Sequence, residues 1–255
     1  MKHGDFTQLA DSYSKYRPGY SDKVLDAIVG LLPQSPGKSI FADVGAGTGI
    51  WTRLVAQRGF QQVYAIEPNS EMRKHGILDS QDMAIEWIEG NGESVGLPNN
   101  SLDFLSMASS FHWVDFKKGI EEFTRVLKPG GLFVALWNPR LTKETSILRE
   151  IQEFLEQLKP NMKRVSSGNS KFTENLYDNI WATDKFSDIV YLEAKHKIWM
   201  SKETYIGVWK SVNDVRVQLG EEKFDEFLKF IDTTIGNKEG LETFYLTRAW
   251  CNIIK

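Results

Sequence analysis

Asp43-Val44-Gly45-Ala46-Gly47-Thr48-Gly49 is the stretch on which the reading of this chain turns. It follows an apolar run, Ser39 to Val44 (SIFADV), and precedes Ile50 to Arg58, whose apolar residues recur at helical spacing. Glycines at such a junction permit backbone conformations closed to other residues and let a ligand approach the main chain. The nicotinamide fingerprint spaces its glycines G-x-G-x-x-G. Here the order is G-x-G-x-G, with an acid two residues before the first. That spacing disfavours a pyrophosphate seated on the helix amino terminus.

Working outward, four more short apolar runs follow: Gln62 to Ile66 (QVYAI), Ile85 to Ile88, Leu102 to Met107, and Leu132 to Trp137 (LFVALW) after the turn Lys128-Pro129-Gly130-Gly131. Gly119 to Leu127 has helical spacing. Near-continuous apolar strands alternating with helices predict a parallel sheet covered on both faces. The second half breaks this rhythm. Thr145 to Leu158 reads as an amphipathic helix stopped near Pro160, Lys163 to Lys171 as a polar loop, and Val190 to Trp199 and Leu241 to Ile254 as strands around a mostly helical Lys202 to Ile235. The expected fold is α/β: a Rossmann-like, doubly wound seven-stranded sheet with its last strand antiparallel, and a helical cap made of insertions. Residues 1–255 form one domain, with a lid at 1–30, a core at 39–137, and cap insertions at 139–185 and 201–237.

Composition narrows the class. A hydrophobic share of 41% and a charged share of 25% fit a globular chain, and a net charge of -3 argues against a non-specific nucleic-acid binder. A lone cysteine, Cys251, forms no internal disulfide and no zinc cluster. The polar start MKHGDFTQLADSY lacks a signal-peptide core, and no run of about 18 apolar residues suggests a membrane span. A cytoplasmic enzyme without membrane or nucleic-acid partners is expected; oligomeric state is left open.

The run DVGAGTG, with Glu67 about twenty residues later at the end of the next strand, resembles the class I S-adenosylmethionine-dependent methyltransferases. That resemblance implies that the main chain near Gly45, Ala46, Gly47 and Gly49 holds the methionine end of S-adenosylmethionine. Asp43 orients the loop or reaches the ammonium group through water. Glu67 accepts from both ribose hydroxyls, a role that suits an acceptor-only carboxylate, with Pro68 and Met72 beside it. Glu89-Gly90-Asn91-Gly92-Glu93 occupies the place of the adenine contact; where the family commonly has an acid, this chain has Asn91, so Asn91, Gly92 and Glu93 are the candidates. Leu97 to Asp103 and Lys128 to Gly131 resemble the family's turns into the fourth and fifth strands.

Two stretches resemble the type 11 methyltransferases, including relatives of trans-aconitate methyltransferases: Tyr13 to Tyr20 (YSKYRPGY) and Phe111 to Asp115 (FHWVD). The first implies a lid in which Tyr13 and Tyr16 face the sulfonium and Arg17 meets a carboxylate of cofactor or substrate. Packing and surface ion pairing are the competing readings. After the fourth strand, Ser109 and Ser110 are main-chain cofactor contacts, and His112 is either a general base or a packed side chain. Trp113, Trp137 and Arg140 join Tyr16 and His112 as acceptor-site candidates. Arg149, Lys163, Arg164, Lys171, Trp181, Trp199, Tyr205, Trp209, Lys210 and Arg216 fill the cap region with aromatics and cations. No Asn/Asp-Pro-Pro-Tyr motif marks an adenine-type N-methyltransferase, and Asp115 alone makes a poor metal site. The expected reaction is O-methylation of a small molecule at a carboxylate or hydroxyl, with S-adenosylhomocysteine as product. The alternatives are methylation of tRNA or protein, and a non-catalytic S-adenosylmethionine-binding relative.

Overall fold

The computed structural model describes residues 10–163, 168 and 170–255. Five strands run parallel in the first half: β1 (Ile40–Val44), β2 (Gln62–Ile66), β3 (Glu86–Ile88), β4 (Leu102–Ala108) and β5 (Leu127–Trp137). They are covered by α2 (Asp22–Gly30), α3 (Ile50–Ala56), α4 (Ser70–Asp79) and α5 (Phe116–Val126). β4 is almost wholly buried, as expected of a strand covered on both faces. Leu102 pairs with Leu127 and Phe104 already with Leu132, so the turn Lys128 to Gly131 bulges out of β5 rather than preceding it.

The remaining strands are β6 (Arg140–Leu141), β7 (Phe186–Ser201) and β8 (Gly240–Ile254). β8 is antiparallel to β5 on one edge and to β7 on the other. β6 also pairs with β8, and its register, Arg140 opposite Tyr245, continues that of Trp137 opposite Arg248 without a shift. β6 is therefore a prolongation of β5 past a break at Asn138-Pro139. Counted as lines of strand, the sheet has the expected seven, with β8 the reversed one.

β7 and β8 are both longer than expected. β7 pairs with β8 as far as Ser201 opposite Gly240, whereas β5 stops opposite Arg248. The β7–β8 ribbon thus projects beyond the carboxyl ends of the parallel strands. On this projection sits a hydrophobic cluster of its own, drawn from α6 (Ser146–Leu158), α9 (Lys202–Lys210), α10 (Asn213–Leu219) and α11 (Glu221–Ile235). Thr145 and Ser201 cap α6 and α9 by accepting from Leu148 and Thr204 N–H groups.

Two expected boundaries fall elsewhere. In α2, Val24, Leu25 and Ile28 are buried in the core cluster shared with Phe41 and Phe104, so this helix covers the sheet, and only α1 (Ala10–Tyr16) and its linker lie over the site. Residues 1–9 of the expected lid, and 164–167 and 169 of the expected loop, lie outside the described residues. After the short α7 (Lys171–Glu174), α8 (Leu176–Trp181) turns Leu176 and Ile180, one helical turn apart, into the core cluster with Phe133 and Phe186. It packs on the sheet, not in the cap cluster. Among the described residues no helix is long and apolar enough to cross a membrane.

Candidate active site

The glycine turn takes its shape from three left-handed residues, Gly45 (φ 70°), Gly47 (φ 59°) and Gly49 (φ 76°). The Gly45 and Ala46 N–H groups both donate to the Ile66 carbonyl, which ties the turn to the end of β2. Gly49 is the N-cap of α3. Just beyond β2, the Glu67 carboxylate is held by the backbone: its Oε2 accepts from Gly47 N–H at 2.7 Å and its Oε1 from Asn69 N–H at 2.9 Å. Burial raises the Glu67 pKa, and these two bonds oppose the rise. Each oxygen has one backbone donor, which leaves acceptor capacity facing the cavity.

Asp43 lies behind the turn. It is fully buried, accepts from Thr52 Oγ1 at 2.6 Å and Ser106 Oγ at 3.0 Å, and Ser106 in turn accepts from Trp51 Nε1. Burial pushes its carboxyl up to about 7 against the pull of those hydroxyls. The group ties β1, β4 and α3 together and is not part of the cavity wall.

A cavity of ≈ 1000 Å³ opens over the carboxyl ends of the strands. Its wall includes Tyr13, Arg17, Gly45, Ala46, Gly47, Glu67, Pro68, Met72, Asn91, Gly92, Glu93, Ser109, Trp113 and Arg140 among the candidates from sequence. Asp43, Gly49, Tyr16, His112 and Trp137 are not among its lining residues. Of the cap-region aromatics and cations, Arg140 and Trp209 reach it; Arg164 lies outside the described residues, and Trp181 and Trp199 are solvent-exposed. The sequence reading missed Asn69, Trp51, Asn138, Met162, Val212 and Tyr245. Asn69 carried a local signal, an Asn before a helical run; it caps α4 by accepting from Glu71 and Met72 N–H groups.

Asn91 Oδ1 accepts from Glu93 and Ser94 N–H groups, closing its own turn. Gly92 is tightly enclosed: an added Cβ would lie 2.5 Å from Val114 Cγ2. Asp115 N-caps α5, accepting from Lys118 N–H at 3.1 Å.

At the end of β4, Ser109 has a positive φ of 57°, unusual for a residue with a side chain. Its Oγ meets the Tyr20 hydroxyl at 3.0 Å, and Ser110 Oγ donates to the Val44 carbonyl. α1 is held down from the cap. The Tyr16 ring lies against Gly207, its hydroxyl donates to Glu203, and Arg17 donates to the Ser211 hydroxyl and carbonyl. Asn138, at the break between β5 and β6, donates to the Gly19 carbonyl and so ties the lid linker to the sheet.

Phe111–Trp113 is a single 3-10 turn. Its side chains point about 120° apart. With Phe111 fully buried, His112 turns toward Trp137, whose Nε1 donates to His112 Nδ1 at 3.4 Å, and Trp113 turns outward, 47% exposed. Burial lowers the His112 pKa to about 4. The unfolded chain binds this proton near pH 6.5, so the ring's contribution to stability is intact above that pH and is lost as pH falls toward 4. Replacement of His112 by Phe is expected to flatten this part of the profile, so that the variant gains on the wild type between pH 7 and pH 5 in urea melts. An unchanged acid slope would mean that the ring is already solvated in the folded state.

A parallel sheet with one reversed strand, a glycine turn after β1 and a held carboxylate after β2 define a Rossmann-like methyltransferase fold. Comparison with known proteins agrees. Residues 42–135 match the methyltransferase domain family of type 11. An uncharacterized methyltransferase of Mycobacterium tuberculosis is 33% identical over 150 residues, 59% of this chain and 58% of that one. The chain thus matches little more than half the length of that relative. An uncharacterized methyltransferase of Schizosaccharomyces pombe is 22% identical across 88% of this chain and 87% of its own. A solved structure from Anaeromyxobacter dehalogenans, assigned to the type II methyltransferases, shares the fold with a TM-score of 0.71 and 17% identity, covering 93% of this chain and 98% of that one. The likeness is thus to methyltransferases: a family model over residues 42–135, relatives that match from about half to nearly nine-tenths of the chain, and a shared fold.

Proposed function

We propose that this protein transfers a methyl group from S-adenosylmethionine to an oxygen of a small-molecule acceptor, with S-adenosylhomocysteine as the second product. The observation that carries the reading is one covered cavity that begins at the glycine turn and Glu67 and ends against the cap helices, beneath α1. A small acceptor fits inside such a space, whereas a macromolecule would reach it only with a protruding base or side chain.

The residues present suit the donor. Glu67 offers spare acceptor positions to a vicinal diol, and Gly45 and Gly47 leave main chain bare on the cavity side. Gly92 and Glu93 border the adenine position. Asn91 shapes this border by closing its own turn with both its side-chain oxygen and its main chain. Tyr13, Arg17 and Tyr20 close the space from the lid and exclude water. When bound, S-adenosylmethionine supplies an electrophilic methyl group on a sulfonium, which passes to the acceptor oxygen as the C–S bond breaks and leaves a thioether.

His112 serves in this reading as a support for Trp137 and not as a base, since it is neutral, buried and turned from the cavity. With Glu67 and Glu93 given to the donor, no other carboxylate or imidazole lines the described wall. An acceptor that reacts as a carboxylate needs no base, which favours ester formation over ether formation.

Calorimetry with S-adenosylhomocysteine and with NAD tests the donor: micromolar affinity for the first and none for the second is expected. Release of S-adenosylhomocysteine is then followed against a panel of carboxylic acids, phenols and tRNA. Turnover of tRNA alone, or absence of affinity for S-adenosylhomocysteine, would overturn the proposal.

A further inference from the structure

We propose that Arg140 and Tyr245, backed by Trp209, form a clamp for a carboxylate of the acceptor, an anchoring group separate from the oxygen that receives the methyl. This rests on the methyltransferase reading and adds to it a substrate class.

The clamp follows from register. Arg140 on β6 is the direct cross-strand partner of Tyr245 on β8, so the two side chains emerge from the same face of the sheet. Both line the cavity. The Arg140 guanidinium stacks over the Trp209 ring with its carbon 4.0 Å from the ring centroid, and the Tyr205 ring lies 5.7 Å away. Stacking fixes the plane of the guanidinium and leaves its N–H edge to meet a partner.

At two of its three nitrogens that edge has none in the protein. Arg140 Nε and Nη1 are buried without a hydrogen bond, and so is the hydroxyl of Tyr245, itself only 3% exposed. No carboxylate pairs with Arg140 among the described residues. Buried donors left open are rare, and costly when charged. Three such atoms belong to two directly paired residues of one cavity wall.

The chemistry is that of a carboxylate. Charge-assisted N–H donors suit the acceptor-only oxygens of a carboxylate. Arg17, the other cation on the described wall, is already engaged by Ser211, so a single positive charge faces the position, and a phosphate dianion would be left half neutralised. The position also lies away from the donor. β6 continues the line of β5, three strands from β2 and Glu67, roughly 14 Å at ordinary strand spacing. An oxygen bound to a guanidinium has its lone pairs tied up and is a poor nucleophile, so the group held here anchors and another reacts.

The test uses Tm and calorimetry on the whole protein, with sodium benzoate, sodium succinate and sodium phosphate as probes at fixed ionic strength. The wild type is expected to rise in Tm saturably with benzoate or succinate, and more than with phosphate. Arg140→Met should lose that response, weakening carboxylate binding at least about tenfold, and should melt above the wild type without added anion, because an unpartnered buried charge has been removed. Tyr245→Phe, which keeps the ring, should weaken the carboxylates about fivefold. S-adenosylhomocysteine affinity should stay within twofold in both variants. Equal carboxylate responses in wild type and Arg140→Met, stronger binding of phosphate, or a tenfold loss of S-adenosylhomocysteine affinity in Arg140→Met would each overturn the clamp. If the wild type binds no S-adenosylhomocysteine, the parent reading fails, while the carboxylate arms still decide the clamp by themselves.

Discussion

Glu67→Ala is expected to weaken S-adenosylhomocysteine binding about 100-fold while leaving the protein folded. Two hydroxyl-to-carboxylate hydrogen bonds at about 1.5 kcal/mol each amount to about 3 kcal/mol, or roughly two decades in Kd. Glu67→Gln should be nearly as harmful. Each carboxylate oxygen already accepts a backbone N–H, from Gly47 and from Asn69. An amide must therefore turn its NH₂ toward one of those donors, and the glycine turn loses its anchor. Calorimetry on both variants checks this. An alanine variant that binds within threefold of the wild type would remove Glu67 from the ribose site.

The second large effect is expected at Gly45. An alanine there is forced into a left-handed conformation, which costs roughly 1–2 kcal/mol. Its Cβ would also stand 2.7 Å from both Cβ and Oγ of Ser110. Ser110 cannot yield without breaking its bond to the Val44 carbonyl, worth about 1 kcal/mol. Together these predict a Tm lower by roughly 4–12 °C and reduced S-adenosylhomocysteine affinity. Gly130 is the control: it shares the positive φ, at 75°, but an added Cβ meets nothing within 4 Å. Gly130→Ala should lose only a few degrees. Equal losses at the two positions would show that backbone conformation, and not crowding against Ser110, sets the cost.

The first half of the fold was legible because its signals are local. Five apolar runs, a glycine turn and an acid at the next strand end lie within a hundred residues, and each works through its immediate neighbours. Asn69 was legible in principle and was passed over. The acceptor side was not legible in the same way. Tyr245 enters the cavity because β6 continues the β5 register, a fact created by pairing between residues about a hundred positions apart. His112 stood out by its chemistry, yet its direction was decided by Phe111: once that ring entered the core, a 3-10 turn sent the imidazole toward Trp137. Tyr16 likewise read as a cover for the donor, whereas the absence of a side chain at Gly207 draws it into the cap.

The projecting β7–β8 ribbon has an architectural corollary. It sets two parts of one chain apart: the glycine turn and Glu67 rest on β1 and β2, while the cap stands on strands beyond the ends of β4 and β5. Substitutions in the helices carried by the ribbon reshape the cap end of the cavity, and reach the glycine turn and Glu67 only through the α1 contacts of Tyr16 and Arg17. The family match, residues 42–135, covers the glycine turn, Glu67 and the parallel strands and stops short of β6, the ribbon and the helices it carries.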